Sequence, residues 1–355
     1  MRLRKVLVIA LALISIMSIG LRGSIALTQQ TPVPVFFGAL NEPPEGRVLS
    51  GWGQFSSAWD LDQSAGKGDA DDLVAYSKTV APHPPAMISF YVGADQAILE
   101  GFLKHYREYA ASHGFFVAQI GFYFRGNERD VATGMRDPVL WTLADALRDV
   151  GRPVLIRVGY EFNNPYALYQ TSGYIGAFRH VAELMRKDRA TNVATVWDAT
   201  AIGFSDPNYM KWYPGDDVVD WWGVNLFDPR DFGRPESEAF IADAARHHKP
   251  TLIGEASPVF ETGTGQVRGA KSASEATKWY EALFDLIRAH PAVKAFSLIA
   301  VDWRRLHAIV PGKGWPDARL DKWPPAAVLV KKQLADPRFI DASEASEVFR
   351  QSRQN

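Results

Sequence analysis

Two hydrophobic periods take turns along this chain. Short runs of apolar, β-branched and aromatic residues occur at 47–53 (RVLSGWG), 86–92 (AMISFYV), 115–124 (FFVAQIGFYF), 153–160 (PVLIRVGY), 192–199 (NVATVWDA), 218–227 (VVDWWGVNLF), 250–256 (PTLIGEA) and 293–301 (VKAFSLIAV). Each is followed by a polar loop, and several by a longer stretch in which apolar residues recur every three to four positions, the helical period. Residues 95–114 open on Asp95 as an N-cap and stop at Gly114; residues 272–291 open on a serine and stop at Pro291. The stretches 138–151, 173–188 and 236–250 follow the same pattern. Fully apolar strands alternating with helices predict a parallel sheet under a helical cover, and eight such units in about 300 residues predict a (β/α)8 TIM barrel, a single domain over 47–340. An open doubly wound sheet is the alternative, although neither a G-x-G-x-x-G nor a P-loop is present to favour it.

The N-terminus stands apart from this rhythm. Positive charge at residues 1–5, the apolar run Val6 to Ile19 and the small residues at 24–26 read as a signal peptide over 1–26. The run is shorter than the ~20 residues that span a bilayer, so export with cleavage is expected, to a secreted or periplasmic location without stable membrane insertion. Proline-rich residues 27–46 are expected to form an extended lead-in, and residues 341–355 a polar, mobile tail.

Composition then removes whole classes of chemistry. Lys+Arg 39 against Asp+Glu 40 gives a net charge of -1, which asks for no nucleic acid. Cysteine is absent, so disulfides, thiolate metal sites and a cysteine nucleophile are excluded. H-E-x-x-H and G-x-S-x-G are missing too. Asp69, Asp71 and Asp72 could attract calcium, but acidic residues at a helix start are favoured by its dipole, so neither metal nor cofactor is expected. With 11 Trp and 12 Tyr, the chain has more flat, hydrogen-bonding surface than a core requires. Sugar rings stack on such faces, which points to a polysaccharide or oligosaccharide partner.

In a barrel of this kind the chemistry gathers where strands end and the following loops begin. In LIRVGYEFNNPY (155–166) a lone carboxylate, Glu161, follows an apolar strand. Alternation puts Arg157, Gly159 and Glu161 on one face, with Asn163 just beyond and Tyr160 and Tyr166 in the same segment. On strand seven the same reasoning aligns Thr251, Ile253 and Glu255. Strands four and seven lie almost across the barrel from one another. Two facing carboxylates are the minimal equipment for cleaving a glycosidic bond, one donating a proton to the leaving oxygen, the other acting as nucleophile or base. For either glutamate alone, a structural ion pair such as one with Arg157 is the competing explanation. Trp52 on strand one, Tyr123 after strand three and Trp303 after strand eight are further candidates for sugar contact, with ordinary packing as the alternative.

RVGYEFNNPY, together with GYIGAFRHVAELMRKDRATNVATVWDA, resembles the strand-four to strand-five segment of glycoside hydrolase family 26, a clan A family of retaining β-glycanases typified by β-mannanases. The matching residues are Arg157, Glu161, Asn163, Tyr174, Phe178, Arg179, His180 and Val181. YPGDDVVDWWGVNLFD resembles the family's approach to strand six, and KPTLIGEASP its strand-seven nucleophile segment. The likeness covers roughly residues 150–260 and extends beyond them through barrel architecture. It implies that Glu161 is the acid/base, that Glu255 is the nucleophile carrying a glycosyl intermediate, and that Trp303 is the platform beneath the sugar. There are two departures. Tyr160 stands where the family has His, and Phe227 stands where it has a tyrosine that hydrogen-bonds the nucleophile. Phenylalanine cannot donate, so Glu255 needs another partner, and Asn225, two positions back on the same face, is one candidate. The implied function is a secreted endo-β-glycanase acting by double displacement; the departures also admit a barrel that binds glycan without cutting it.

Overall fold

The computed structural model describes residues 35–55, 65–165, 169–205, 208–262, 266–305 and 315–352. The 1–26 segment, the first part of the lead-in and Tyr166 lie outside them. In chain order the elements are β1 (Val48–Phe55), α1 (Ala65–Val80), β2 (Met87–Gly93), α2 (Gln96–Ser112), β3 (Val117–Tyr123), α3 (Glu128–Ala132), α4 (Asp137–Val150), β4 (Val154–Val158) and α5 (Thr171–Lys187). Then come β5 (Val193–Thr200), β6 (Trp221–Leu226), α6 (Pro235–Arg246), β7 (Thr251–Ala256), β8 (Val259–Glu261), β9 (Val267–Gly269), α7 (Ala273–Ala289), β10 (Val293–Ile299), α8 (Pro324–Leu334), β11 (Phe339–Ile340) and α9 (Ala342–Ser352).

Strands β1 to β7 pair in sequence, β10 follows β7, and β10 pairs back with β1, every pair parallel. The sheet is therefore closed, and all eight predicted strands belong to it. β8 and β9 form a separate antiparallel hairpin beyond β7. The predicted helix signals act as such: the Asp95 side chain accepts the Ala97 N–H, Ser272 accepts the Glu275 N–H, and Gly151 ends α4 in the left-handed conformation.

Period-two alternation divides the core into two layers. Leu49, Met87, Val117, Leu155, Ala194, Val196, Trp221, Leu252 and Ala295 fill the barrel's interior near the N-terminal ends of the strands. Their sequence neighbours, among them Ile88, Phe90, Ile120, Ile156, Trp197 and Val224, pack outward against the helices. Trp52 belongs to this outer layer. The added Cβ of Gly51 and of Gly53, on either side of it, would press on Met87 and Ser89, so those glycines face inward and Trp52 faces out. It is completely buried, edge-on to Phe55, and is removed from the sugar-contact candidates.

Alternation fails on β7. Leu252 belongs to the interior set and Ile253 to the outer one, which would turn Glu255 outward. Pairing with both neighbours slips at that point: Val224 and Leu226 of β6 face Ile253 and Ala256, while Phe296 and Leu298 of β10 face the same two residues. Two residues on either neighbour span three on β7, a β-bulge, and it brings Gly254 and Glu255 inward together. The expected alignment of Thr251, Ile253 and Glu255 is corrected accordingly.

The end opposite the predicted mouth is closed by the chain's own flanks. In the lead-in, the Asn41 amide donates to the carbonyls of Val154 and Asn192, and the Leu40 carbonyl accepts the Trp221 indole N–H. Over Ala342–Ser352 the expected polar tail is instead helix α9, which packs Ala345, Val348 and Phe349 against the interior layer. Its apolar positions three and four residues apart were masked by the charged residues between them.

Candidate active site

Arg157 is the centre around which the mouth of the barrel is built. It is completely buried on the inner face of β4. Its Nη2 donates to Glu255 Oε1 at 2.8 Å and to the Tyr91 hydroxyl at 3.1 Å, while Nη1 reaches Asn225 Oδ1 at 3.3 Å and Asp198 Oδ1 at 3.4 Å. Strands β2, β4, β5, β6 and β7 thus converge on one guanidinium. Burial opposes the charge, but Asp198, Tyr91 and Glu255 hold Arg157 protonated. Arg157 has no exposed surface, and its polar contacts are all with side chains around it.

Glu255 Oε1 also accepts the Tyr91 hydroxyl at 2.9 Å. Burial and the Glu255 charge push the Tyr91 phenol well up, so it stays protonated and remains a donor. The Gln119 amide donates to the Gly254 carbonyl at 2.7 Å, tying the bulge to β3.

Glu161 arrives differently. β4 ends at Val158, and the chain turns through Gly159 at φ 60 and Glu161 at φ 55. The left-handed backbone is open to glycine but uncommon for glutamate. Phe162 fixes the turn by stacking on Trp197 with ring centroids 4.5 Å apart, and its N–H binds the Asp198 carbonyl. The half-buried Glu161 carboxylate accepts from Asn164 Nδ2 at 2.7 Å and from Asn225 Nδ2 at 3.1 Å. Burial first, and the Glu255 charge second, push its carboxyl above the usual range, while the two amides pull the other way. A carboxyl raised by burial and by a neighbouring charge thus shares one network with a carboxylate held by a cation and a phenol.

The other candidates fall into three groups. Tyr160 lies on the network, with its ring 4.9 Å from the Arg157 guanidinium and edge-on to Tyr91 at 5.6 Å. Phe227 and Trp303 share a wall with Trp315: Phe227 meets Trp315 at 5.7 Å and Trp303 meets it at 4.6 Å. β7, which carries Glu255, runs between the strands that precede Phe227 and Trp303. Tyr123 covers Gly93 at the end of β2.

Two assignments change. Asn225 is bound to Glu161 and Arg157, so the candidate partnership with Glu255 is corrected: Tyr91, from the opposite side of Arg157, supplies the phenol that Phe227 cannot. Asn163 bonds the backbone of Thr200, donating to the carbonyl at 3.0 Å and accepting the N–H at 2.8 Å, so it fastens the loop to β5. Sequence reasoning passed over Tyr91, Asn164, Asp198 and Trp315. Asp198 carried a usable signal, a lone acid in the apolar run VATVWDA, whereas Tyr91 in SFYVG reads as one more core aromatic. In the acidic cluster, Asp71 is exposed and Asp72 is buried with its carboxylate on the Asp302 N–H; among the described residues no metal-binding group occurs.

The chain matches no protein-family profile. It is 28% identical over 307 residues to a β-1,3-xylanase of Vibrio sp, covering 80% of this chain and 66% of that protein. To a β-1,3-xylanase of Alcaligenes sp it is 26% identical over 299 residues, covering 78% and 64%. The structure superposes on a family 26 β-mannanase of Bacteroides ovatus with a TM-score of 0.57 and 17% identity, over 86% of this chain and 93% of the other. Its fold is that of a family 26 glycoside hydrolase barrel. The chain spans about two thirds of the length of the curated relatives it matches. In this chain the phenol that donates to the strand-seven glutamate comes from β2.

Proposed function

We propose that the protein is a retaining endo-β-glycanase in which Glu161 is the acid/base and Glu255 the nucleophile. The observation that carries this reading is the single network in which both carboxylates end, joined through Asn225 and Arg157. In the first step Glu161 protonates the leaving glycosidic oxygen as Glu255 attacks the anomeric carbon, forming an ester between enzyme and sugar. Arg157 and Tyr91 keep the Glu255 carboxylate oriented. Esterification removes the Glu255 charge, and that charge is one of the two causes raising the Glu161 carboxyl. Its pKa then falls, so Glu161 is ready to take a proton from the water that releases the product.

Similarity to the two β-1,3-xylanases makes β-1,3-xylan the first polysaccharide to test, followed by mannan and mixed-linkage glucan. Export through the 1–26 segment belongs to the same proposal, and mature protein that begins after Ala26 in the periplasm or medium is the expected result.

The deciding experiment measures reducing ends released from these polysaccharides by the wild type, Glu255→Gln and Glu161→Gln. Glu255→Gln is expected to lose on the order of 10⁴-fold in kcat/KM on every substrate. Glu161→Gln is expected to lose as much on polysaccharide, but to form the intermediate readily from an aryl glycoside whose phenolate needs no proton. Glycan bound equally by all three proteins with no reducing ends released would instead identify a binding barrel.

A further inference from the structure

Asp198 is the one acid of the network to which the reaction assigns no step. It is completely buried on the inner face of β5. Its Oδ1 accepts the Glu161 N–H at 3.3 Å and lies 3.4 Å from Arg157 Nη1, and its backbone carbonyl accepts the Phe162 N–H at 3.2 Å. A single residue thus grips two consecutive peptide groups of the turn in which Glu161 adopts left-handed backbone. Oδ2 is buried with no hydrogen-bond partner among the described residues. It is seated against two glycines: a Cβ at Gly223 would stand 2.4 Å from it, and one at Gly254 would stand 2.8 Å from it. Neither β6 nor β7 therefore tolerates a side chain at the level of this carboxyl.

We propose that Asp198 is a positioning residue that holds the Glu161 turn in its active shape and divides the Arg157 charge with Glu255, so that its own proton state sets how fully Arg157 serves the nucleophile. The proposal rests on the reading of Glu161 and Glu255 as the catalytic pair. The charged and titratable groups around Asp198 are Arg157 from β4, Glu161 from the turn, Glu255 from β7 and Tyr174 from α5, with Tyr91 of β2 reached through Arg157. Burial, opposed by Arg157 and reinforced by the charges of Glu255 and Glu161, pushes the Asp198 carboxyl up to about 7. Below that pH it is a neutral acid, and Arg157 pairs with Glu255 alone. Above it, two carboxylates compete for one guanidinium.

Asp198→Ala and Asp198→Asn test this. Loss of the acceptor in Asp198→Ala frees the turn, and kcat is expected to fall about 100-fold with KM changed less than about threefold. Asn restores an acceptor without a charge, so Asp198→Asn is expected to regain at least tenfold of that loss near about pH 6 and to carry the alkaline limb of kcat upward by about one pH unit. A second readout needs no turnover. Because the folded carboxyl is raised above its ordinary value of 3.8, the stability that Asp contributes relative to Asn is full below that value and is lost as pH rises through about 7. The Tm of the wild type should therefore drop against that of Asp198→Asn by on the order of 5 °C across this window. A Tm difference that stays flat with pH, or an Asp198→Ala kcat within threefold of wild type, overturns the proposal. If no glycan is cleaved by the wild type, the glycanase reading fails by itself, and the Tm profile still decides whether Asp198 holds a proton as described.

Discussion

Two cations are buried at opposite ends of this barrel, and they are treated differently. At the closed end, Lys294 of β10 is 1% exposed on its side chain, donates to the carbonyls of Val35 and Pro44, and pairs with Glu42 at 3.7 Å. Two backbone carbonyls and a carboxylate surround it, and Glu42 in turn accepts the N–H groups of Phe37 and Ala39. At the open end, Arg157 divides four contacts among Glu255, Tyr91, Asn225 and Asp198, while its buried Nε has no partner among the described residues. A buried charge is tolerated when it is paired and costly when it is left alone. Lys294 is fully provided for and works as a fastener of the lead-in. Arg157 is shared, and sharing makes each neighbour sensitive to the protonation of the others, which is what a reacting centre needs and a scaffold does not.

The sharpest way to break this contrast is to remove each cation. Arg157→Leu leaves Glu255 and Asp198 without their counter-charge; kcat/KM is expected to fall by on the order of 10³, and unfolding free energy by about 3 to 5 kcal/mol, read from kinetics and denaturant titration of the same sample. Lys294→Ala is expected to cost about 3 kcal/mol in the same titration, moderated by the two peptide groups that still serve Glu42, with kcat per folded molecule unchanged. A drop in kcat there would show that the two ends are coupled and remove the distinction. The smallest effect is expected from Asn164→Ala. The Asn164 amide favours the ionised form of Glu161, so its loss raises that carboxyl further and moves the alkaline limb of kcat/KM up by roughly half a pH unit. A shift in the opposite direction would mean that Glu161 is not the acid.

The barrel was legible because its signal is periodic: runs of apolar residues with caps such as Asp95 and Ser272 mark elements whatever the tertiary context. That Glu161 and Glu255 would end in one network was legible for a related reason, since both directly follow apolar strands that end at the same mouth. What escaped was set by geometry that no period encodes. The direction of Glu255 depends on pairing slips on both sides of β7. The turn at Glu161 departs from strand alternation altogether. The donor to Glu255 comes from β2, far away in sequence, whereas local spacing offered Asn225 as a candidate. Trp52 was misplaced because an aromatic residue reads the same on either face of a strand. Residues 342–352 looked like a tail because the apolar residues of α9 are few and its charged face is wide.

The extra residue on β7 has a corollary for how the chain can vary. Where Glu255 points is decided by a count, since in-frame loss of the codon for Gly254 would leave the composition of that stretch almost untouched yet swing the acid toward the helices. Substitutions can tune this site gradually, whereas a one-residue change in length there acts as an on–off event.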